Sequence, residues 1–320
     1  MALQASTPSE LIAIDNNYLA RVTDRRRILA EHSPTVLGVT PPGHAPIREL
    51  YAYLLGTYLP ARYPGMFQLV HHDDPGATAA RRSFSVSFRN RVTNLVSPLQ
   101  PPPADPLEML RILGETVEDD LFLLVRDTIT TSRSSSSDDS DGGNGSNDQT
   151  GGEHRVVAFV CCHPSGFDPS EKLGKRLADV HGPVPSYERI GPSMERFFAR
   201  LEAGKGVKRV NWALQTHSSL FAPSGNHVQD GDEVKDENRF DPQTARFRAE
   251  LQSLTRLPET RAILFSFKTY LYPLEDIKAE GLGHQLADAV EGLKAGNAPG
   301  MWEYKGAVRW GKAACEYLRS

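Results

Sequence analysis

Cysteine is scarce in this chain of 320 residues: Cys161, Cys162 and Cys315 are all there are, and the first two are adjacent. An odd count without framework spacing excludes a disulfide scaffold and points to reduced thiols. Long hydrophobic runs are missing as well. The longest, at 121–125 and 156–162, fall far short of the ~20 residues that cross a bilayer, so no membrane partner is expected. An excess of positive charge is also absent: 36 Lys and Arg stand against 40 Asp and Glu, a net charge of −4. That balance argues against a nucleic-acid partner. Residues 1–6 hold no basic segment leading into an apolar one, so no secretory leader is expected, and a cytoplasmic location follows from that expectation. The standard catalytic signatures are missing too. There is no phosphate loop, no Gly-x-Gly-x-x-Gly after a strand, no His-Glu-x-x-His, no Gly-x-Ser-x-Gly and no Cys-x-x-Cys, which removes the support for nucleotide-dependent transfer, zinc-protease and serine-hydrolase chemistry.

What is present is an ordinary globular composition, 39% hydrophobic and 24% charged, with enough chain for a large core. The N-terminal third reads as helical. Over 47–59 the apolar residues recur at three and four, and Pro60 and Pro64 are expected to stop that helix. Residues 9–31 carry a helical pattern too, with Arg25, Arg26 and Arg27 as a basic surface turn. A proline-rich connector at 101–106 leads to a short helix through Leu113. The segment 131–152 holds no aliphatic or aromatic residue and is expected to be a disordered insertion. Its flanks, 120–126 and 155–162, have strand character, so they form either a hairpin with a stretched turn or the two sides of an interdomain linker. A second polar loop insertion is expected at 223–238. The chain thus reads as a single domain over 1–320, with an N-terminal helical extension over about 1–115.

Beyond the first insertion the signals sharpen. Asp168, Pro169 and Glu171 mark a helix start, Leu173, Leu177 and Val180 its apolar stripe, and Gly182-Pro183 its end. Pro192 is expected to open the next helix, with Met194, Phe197, Phe198 and Leu201 inward and Gly204 at the stop. Residues 207–214 read as a strand with Val207, Arg209, Asn211 and Ala213 on one face and Val210, Trp212 and Leu214 on the other. A second hairpin is expected from 250–257 and 261–271, and two helices near 274–293 and 301–318 close the chain. Hairpins with helices packed beside them predict an α+β fold around an antiparallel sheet.

Chemistry must then come from polar residues set among apolar ones. His181 ends the Leu173–Leu177 stripe, with Pro183 and Pro185 fixing its exit. A neutral imidazole held in one orientation suits an axial haem ligand; the plainer alternative is a half-buried helix-end histidine satisfied by a carbonyl. His163 with Asp168 offers two ligands for a non-haem metal and lacks a third. The run His71-His72-Asp73-Asp74 is a metal tract or a solvated turn. Arg209 and Asn211 are candidates for carboxylate or substrate contacts, or for an edge salt bridge. Glu250, Gln252 and Arg256 share one strand face and either line the same cavity or are solvated.

The order of several motifs resembles the haem-dependent oxidative N-demethylase family. They are Pro164-Ser165-Gly166-Phe167, Glu171-Lys172-Leu173-Gly174, Val180-His181-Gly182-Pro183-Val184-Pro185, Ser193-Met194-Glu195-Arg196-Phe197-Phe198, Arg209-Val210-Asn211-Trp212 and 256–265 with 269–274. Upstream, 14–18, 25–29 and 118–127 fit the same pattern. The resemblance covers nearly the whole chain apart from the two polar insertions. It implies a haem b protein on a PAS-like antiparallel sheet with flanking helices and an N-terminal helical region. It implies oxidation of the methyl group of a small amine by O2 and reducing equivalents, with release of formaldehyde. The family's His-x-Pro-Val-Pro places the axial metal ligand on His181. Lys175 and Arg256 join it as cofactor-binding candidates, and Arg209, Asn211 and Glu250 as catalytic ones. Phe167 stands where the family usually has Trp. No reductase is expected within the chain, so electrons come from a separate donor protein, and the substrate is a small amine or N-methyl natural product. The other class open to the sequence is a non-catalytic haem or small-ligand sensor.

Overall fold

The computed structural model describes residues 3–72, 85–127, 152–228 and 240–320. In chain order it forms β1 (Gln4–Ser6), α1 (Tyr18–Glu31), α2 (Ser33–Val36), β2 (Leu37–Val39), α3 (His44–Tyr53), α4 (Leu59–Arg62), β3 (Phe67–His72), β4 (Ser85–Asn90), β5 (Leu95–Gln100) and α5 (Pro106–Gly114). There follow β6 (Asp120–Arg126), β7 (His154–Val160), α6 (Leu177–Val180), α7 (Tyr187–Arg200), β8 (Gly206–Gln215), β9 (Arg246–Arg256) and β10 (Ile263–Pro273). Four helices close the chain: α8 (Leu274–Ala279), α9 (Gly283–Glu291), α10 (Met301–Tyr304) and α11 (Ala307–Arg319). None of the described helices is long and apolar enough to cross a membrane.

A seven-stranded antiparallel sheet with the order β1-β8-β9-β10-β6-β7-β2 organises the fold, as the α+β reading predicts. The register sets what each face carries. Asn211 lies opposite Glu250, which lies opposite Thr269, while Arg209 faces Gln252 and then Phe267. Because side chains alternate between faces, one face runs from this polar patch into Phe265, Phe122 and Phe159. That aromatic end packs under Leu177, Phe198 and Leu201 of the α6–α7 region. On the other face, Leu121, Leu123, Ala158 and Leu264 bury against α1, α3 and α5 in the largest core cluster. The C-terminal helices form a third cluster around Leu214, Trp310 and Leu318.

Several local expectations fail for identifiable reasons. Pro60 does not stop the helix that starts at His44. Residues 54–58 form a π turn in which the Leu59 N–H reaches back to Leu54 O, and this wider turn accommodates the proline before the helix ends at Arg62. Only 18–31 of the 9–31 stretch is α-helical. Arg25 is fully buried, not a surface residue, and pairs with Asp120 at 2.6 Å. The region read as helical also holds a three-stranded sheet, β3-β4-β5. Residues 168–181 are not one helix: a 3-10 turn at Pro169–Lys172 is followed by Gly174 at φ +75, and α6 is a separate turn. Helix α7 begins at Tyr187, with Pro192 inside it. Left-handed glycines split both C-terminal helices, Gly281 at φ +76 and Gly306 at φ +69, a conformation that side chains with a Cβ avoid.

Most of the predicted insertion at 131–152 lies outside the described residues, as does 229–238 of the second loop. The flanks of the first do form a hairpin. β6 and β7 pair through Arg126 and His154, and the Asp127 N–H bonds Glu153 O at 2.9 Å.

Candidate functional site

His181 follows the last residue of α6. Its ring Nδ1 meets the Leu177 carbonyl oxygen at 2.8 Å. A carbonyl only accepts, so Nδ1 carries the proton and Nε2 keeps its lone pair. Among the described residues Nε2 has no hydrogen-bond partner. The ring lies flat on Tyr187, with centroids 4.8 Å apart and planes within 4°. Burial lowers its pKa, the Leu177 carbonyl opposes this, and the charges of Arg209 and Lys172 add to the lowering. The imidazole is therefore neutral, fixed in one tautomer and braced on an aromatic ring. The plainer reading of a helix-end histidine satisfied by a carbonyl holds for one nitrogen and leaves the other free.

The polar patch of the sheet lies on the face that α6 and α7 cover. Its centre is Glu250, nearly buried. Arg248 donates through Nε to Glu250 Oε1 at 3.3 Å. Asn211 and Gln252 both donate to Oε2, at 3.2 and 3.1 Å. Arg209 Nε donates to Gln252 Oε1 at 2.7 Å. Arg248 is itself buried and also donates to the backbone oxygens of His163 and Leu220. A guanidinium so anchored fixes the Glu250 carboxylate in place. Arg209 differs: solvent reaches it, yet enough protein surrounds it that burial lowers its pKa.

The C-terminal segment packs against the His181 loop. Gly300 lies against Pro185 of the His181 loop, so close that an added Cβ would sit 3.1 Å from the proline Cβ. This seats α10 beside the site. His227 stacks on Tyr304 with centroids 4.4 Å apart, and burial lowers its pKa to about 4. Lys305 feels the charges of both Glu250 and Arg209.

A family model described as haem-dependent oxidative N-demethylase, alpha subunit-like, matches residues 2–315. The chain belongs to that family. The match runs through the N-terminal unit, the sheet and the C-terminal helices, so the resemblance carried by scattered motifs extends over the whole fold. Haem dependence and oxidative demethylation come with the family's name.

Within this member of the haem-dependent demethylase family, the structure brings together four of the residues singled out from sequence, Arg209, Asn211, Glu250 and Gln252, with His181 close enough to feel Arg209. Arg256 is not among them. All three of its guanidinium nitrogens donate to carbonyls, those of Leu201, Phe198 and Arg261, so it caps the C-terminal end of α7. Lys175 is exposed. Lys172, three residues earlier, is the lysine that turns inward, and its ammonium meets Val180 O at 3.4 Å. His163 and Asp168 do not converge. The His163 ring faces Asp24 at 3.8 Å and burial lowers its pKa to about 4, while Asp168 accepts from the Ser170 N–H. His71 and His72 lie on exposed β3, and Asp73 and Asp74 fall outside the described residues. No group of three His, Cys, Asp or Glu side chains among the described residues is placed to hold a metal ion.

Sequence reasoning missed Arg248, Lys172, His227, Tyr304 and Lys305. Arg248 was within reach, because it continues the alternation that joins Glu250 to Gln252. The others arrive through tertiary packing, which leaves no periodic trace.

Proposed function

We propose that this protein is a haem b-dependent oxidoreductase that uses O2 to remove the methyl group of a small amine or N-methyl compound, with electrons supplied by a separate reductase. One observation carries the reading: a neutral, oriented, partner-free imidazole nitrogen at His181 in a chain of the haem-dependent demethylase family. Haem brings four ligands of its own and asks the protein for one or two. A single oriented histidine without a converging cluster of other ligands fits that demand. The same reading takes the sheet as PAS-like, with the ligand held between its polar-aromatic face and the α6–α7 region.

Bound haem would supply the iron at which O2 is reduced. The overall reaction balances as a secondary N-methylamine, O2, two electrons and two protons giving the demethylated amine, formaldehyde and water. The side chains do the positioning. Tyr187 and the Leu177 carbonyl hold the His181 ring. Glu250, its carboxylate fixed by Arg248, Asn211 and Gln252, accepts an N–H of the amine and keeps its nitrogen beside the reacting methyl group. Arg209, bonded to Gln252, stands at the exposed end of the polar patch.

Reconstitution with haem tests this. The wild-type protein takes up one haem per chain. His181→Ala weakens retention and moves the Soret band, while His163→Ala and His217→Ala do neither. An unchanged spectrum in His181→Ala would remove the ligand assignment. Formaldehyde assays with a panel of methylamines, O2 and a reductant test the reaction. A ferrous protein that binds CO reversibly yet yields no product with any of them would favour the sensor.

A further inference from the structure

Between the end of β8 and the start of α11 lies a cavity of about 150 Å³, roughly ten times the space that one water needs. Gln215, Thr216, Asn226, Gly306, Arg309 and Trp310 are among the residues that line it. Its described lining includes one cation and no acid. The two amides shape the cavity, but their N–H groups are spent. Gln215 donates to the backbone oxygens of His217 and Ser219, and Asn226 donates to Ser165 Oγ and Gln215 Oε1.

Trp310 is different. It is 6% exposed, and its indole N–H has no acceptor among the described residues. A Cβ added to Gly306 would lie 3.6 Å from Trp310 Nε1, so this N–H stands beside a glycine that itself lines the cavity. An indole nitrogen only donates, and leaving it unmet in so enclosed a place is costly. The start of α11 makes the same demand. Gly306 is its N-cap, no side chain caps it, and no acid lies in its first turn. The N–H groups of Ala307, fully buried, and of Val308 have no acceptor within the helix. Arg309 sits in that first turn and donates to Gly225 O at 3.4 Å. A cation at the positive end of a helix is unfavourable without an anion nearby.

We propose that this cavity is a binding site for a phosphate group, held by the Trp310 indole N–H, the first-turn amides of α11 and the charge of Arg309. Every unspent group there donates, and together they come from a ring, a helix end and a flexible side chain. A tetrahedral oxyanion presents oxygens in several directions at once, whereas a carboxylate presents two in one plane. A helix N-terminus suits phosphate for the same reason that it repels Arg309. Behind the cavity, Gln215 Oε1 accepts from Arg248 at 3.4 Å, and Arg248 holds Glu250. The phosphate would therefore lie behind the residue that anchors the polar patch, not in the patch itself.

Indole N–H resonances test this in the full-length protein. Trp212, Trp302 and Trp310 are its three tryptophans, and Trp310→Phe assigns the third resonance by its loss. Inorganic phosphate is expected to move that resonance downfield in a saturable titration, with one site per chain by calorimetry. Trp310→Phe keeps a ring in the core and is expected to weaken phosphate about tenfold or more, as the loss of a hydrogen bond to a charged group does. Arg309→Gln weakens it as well and flattens its dependence on ionic strength. That half-buried side chain reports on the site even where Trp310→Phe fails to fold. Methyl phosphate separates the two sources, since it binds more tightly than the free ion if the phosphate arrives on a small molecule. A Trp310 resonance that moves no further in phosphate than in chloride at equal ionic strength overturns the site. Phosphate binding that both variants leave unchanged overturns it too, and a stronger response to acetate overturns the choice of phosphate. The titrations need no haem, so none of these outcomes bears on the haem reading.

Discussion

Asp119 and Asp120 are neighbours in the chain and opposites in the fold. Both are buried. Burial would raise the pKa of Asp120, but Arg25 beside it and the N–H groups of Cys162 and His163 hold it below the usual carboxylate range. Asp119 has an oxygen without a partner among the described residues, and burial pushes it up to about 7, against the pull of Lys268 and Arg25. Between its ordinary value of 3.8 and about 7, the folded chain keeps a proton that the unfolded chain has released. Stability therefore falls as pH rises through that window and levels off above it. Asp119→Asn removes this loss, so its melting temperature gains on wild type between pH 4 and pH 7 and holds that gain at pH 8. Parallel melting curves across the range would refute the assignment. Nothing in an Asp-Asp pair tells which member finds an arginine, and nothing in three consecutive arginines tells which turns inward. His181 stood out in the sequence because its proline-fixed exit is a local property, whereas the pairing of Arg25 with Asp120 joins segments 95 residues apart.

At the scale of elements, period-2 alternation gave away β8, β9 and β10 and with them the polar patch, because a strand displays its pattern in the order it is read. Helices were less legible where glycine decides their ends. Gly174, Gly281 and Gly306 each take up a left-handed conformation that breaks a continuous apolar pattern into separate turns. Arg256 shows the same limit from the other side: its place on the Glu250 face is written in the alternation, but its role is set by where α7 happens to end. Arg256→Ala removes the side-chain donors from the buried carbonyls of Leu201 and Phe198, the latter keeping only the Leu201 N–H at 3.3 Å. A loss of about 2 kcal/mol or more is expected in urea unfolding, with no change in the Soret band of haem-loaded protein. A spectral change without destabilisation would return Arg256 to the cofactor.

Across the whole molecule, the sheet order was beyond sequence reading, because it joins β10 to β6 and sets β1 and β2 on opposite edges. The β6–β7 hairpin was readable from its flanks, and the bond between Asp127 and Glu153 holds its two ends together. Replacing 131–152 with Asn-Gly should therefore leave the fold intact, with the melting temperature within a few degrees of wild type, since loop-closure cost grows only slowly with length. A collapse of the melting transition would show that the segment is docked on the domain.

All three cysteines are buried, and burial pushes their thiols up, Cys162 to about 12. Peroxide attacks thiolates and largely spares thiols. In the proposed reaction, oxygen that escaped half-reduced would find no thiolate at these three cysteines to consume it.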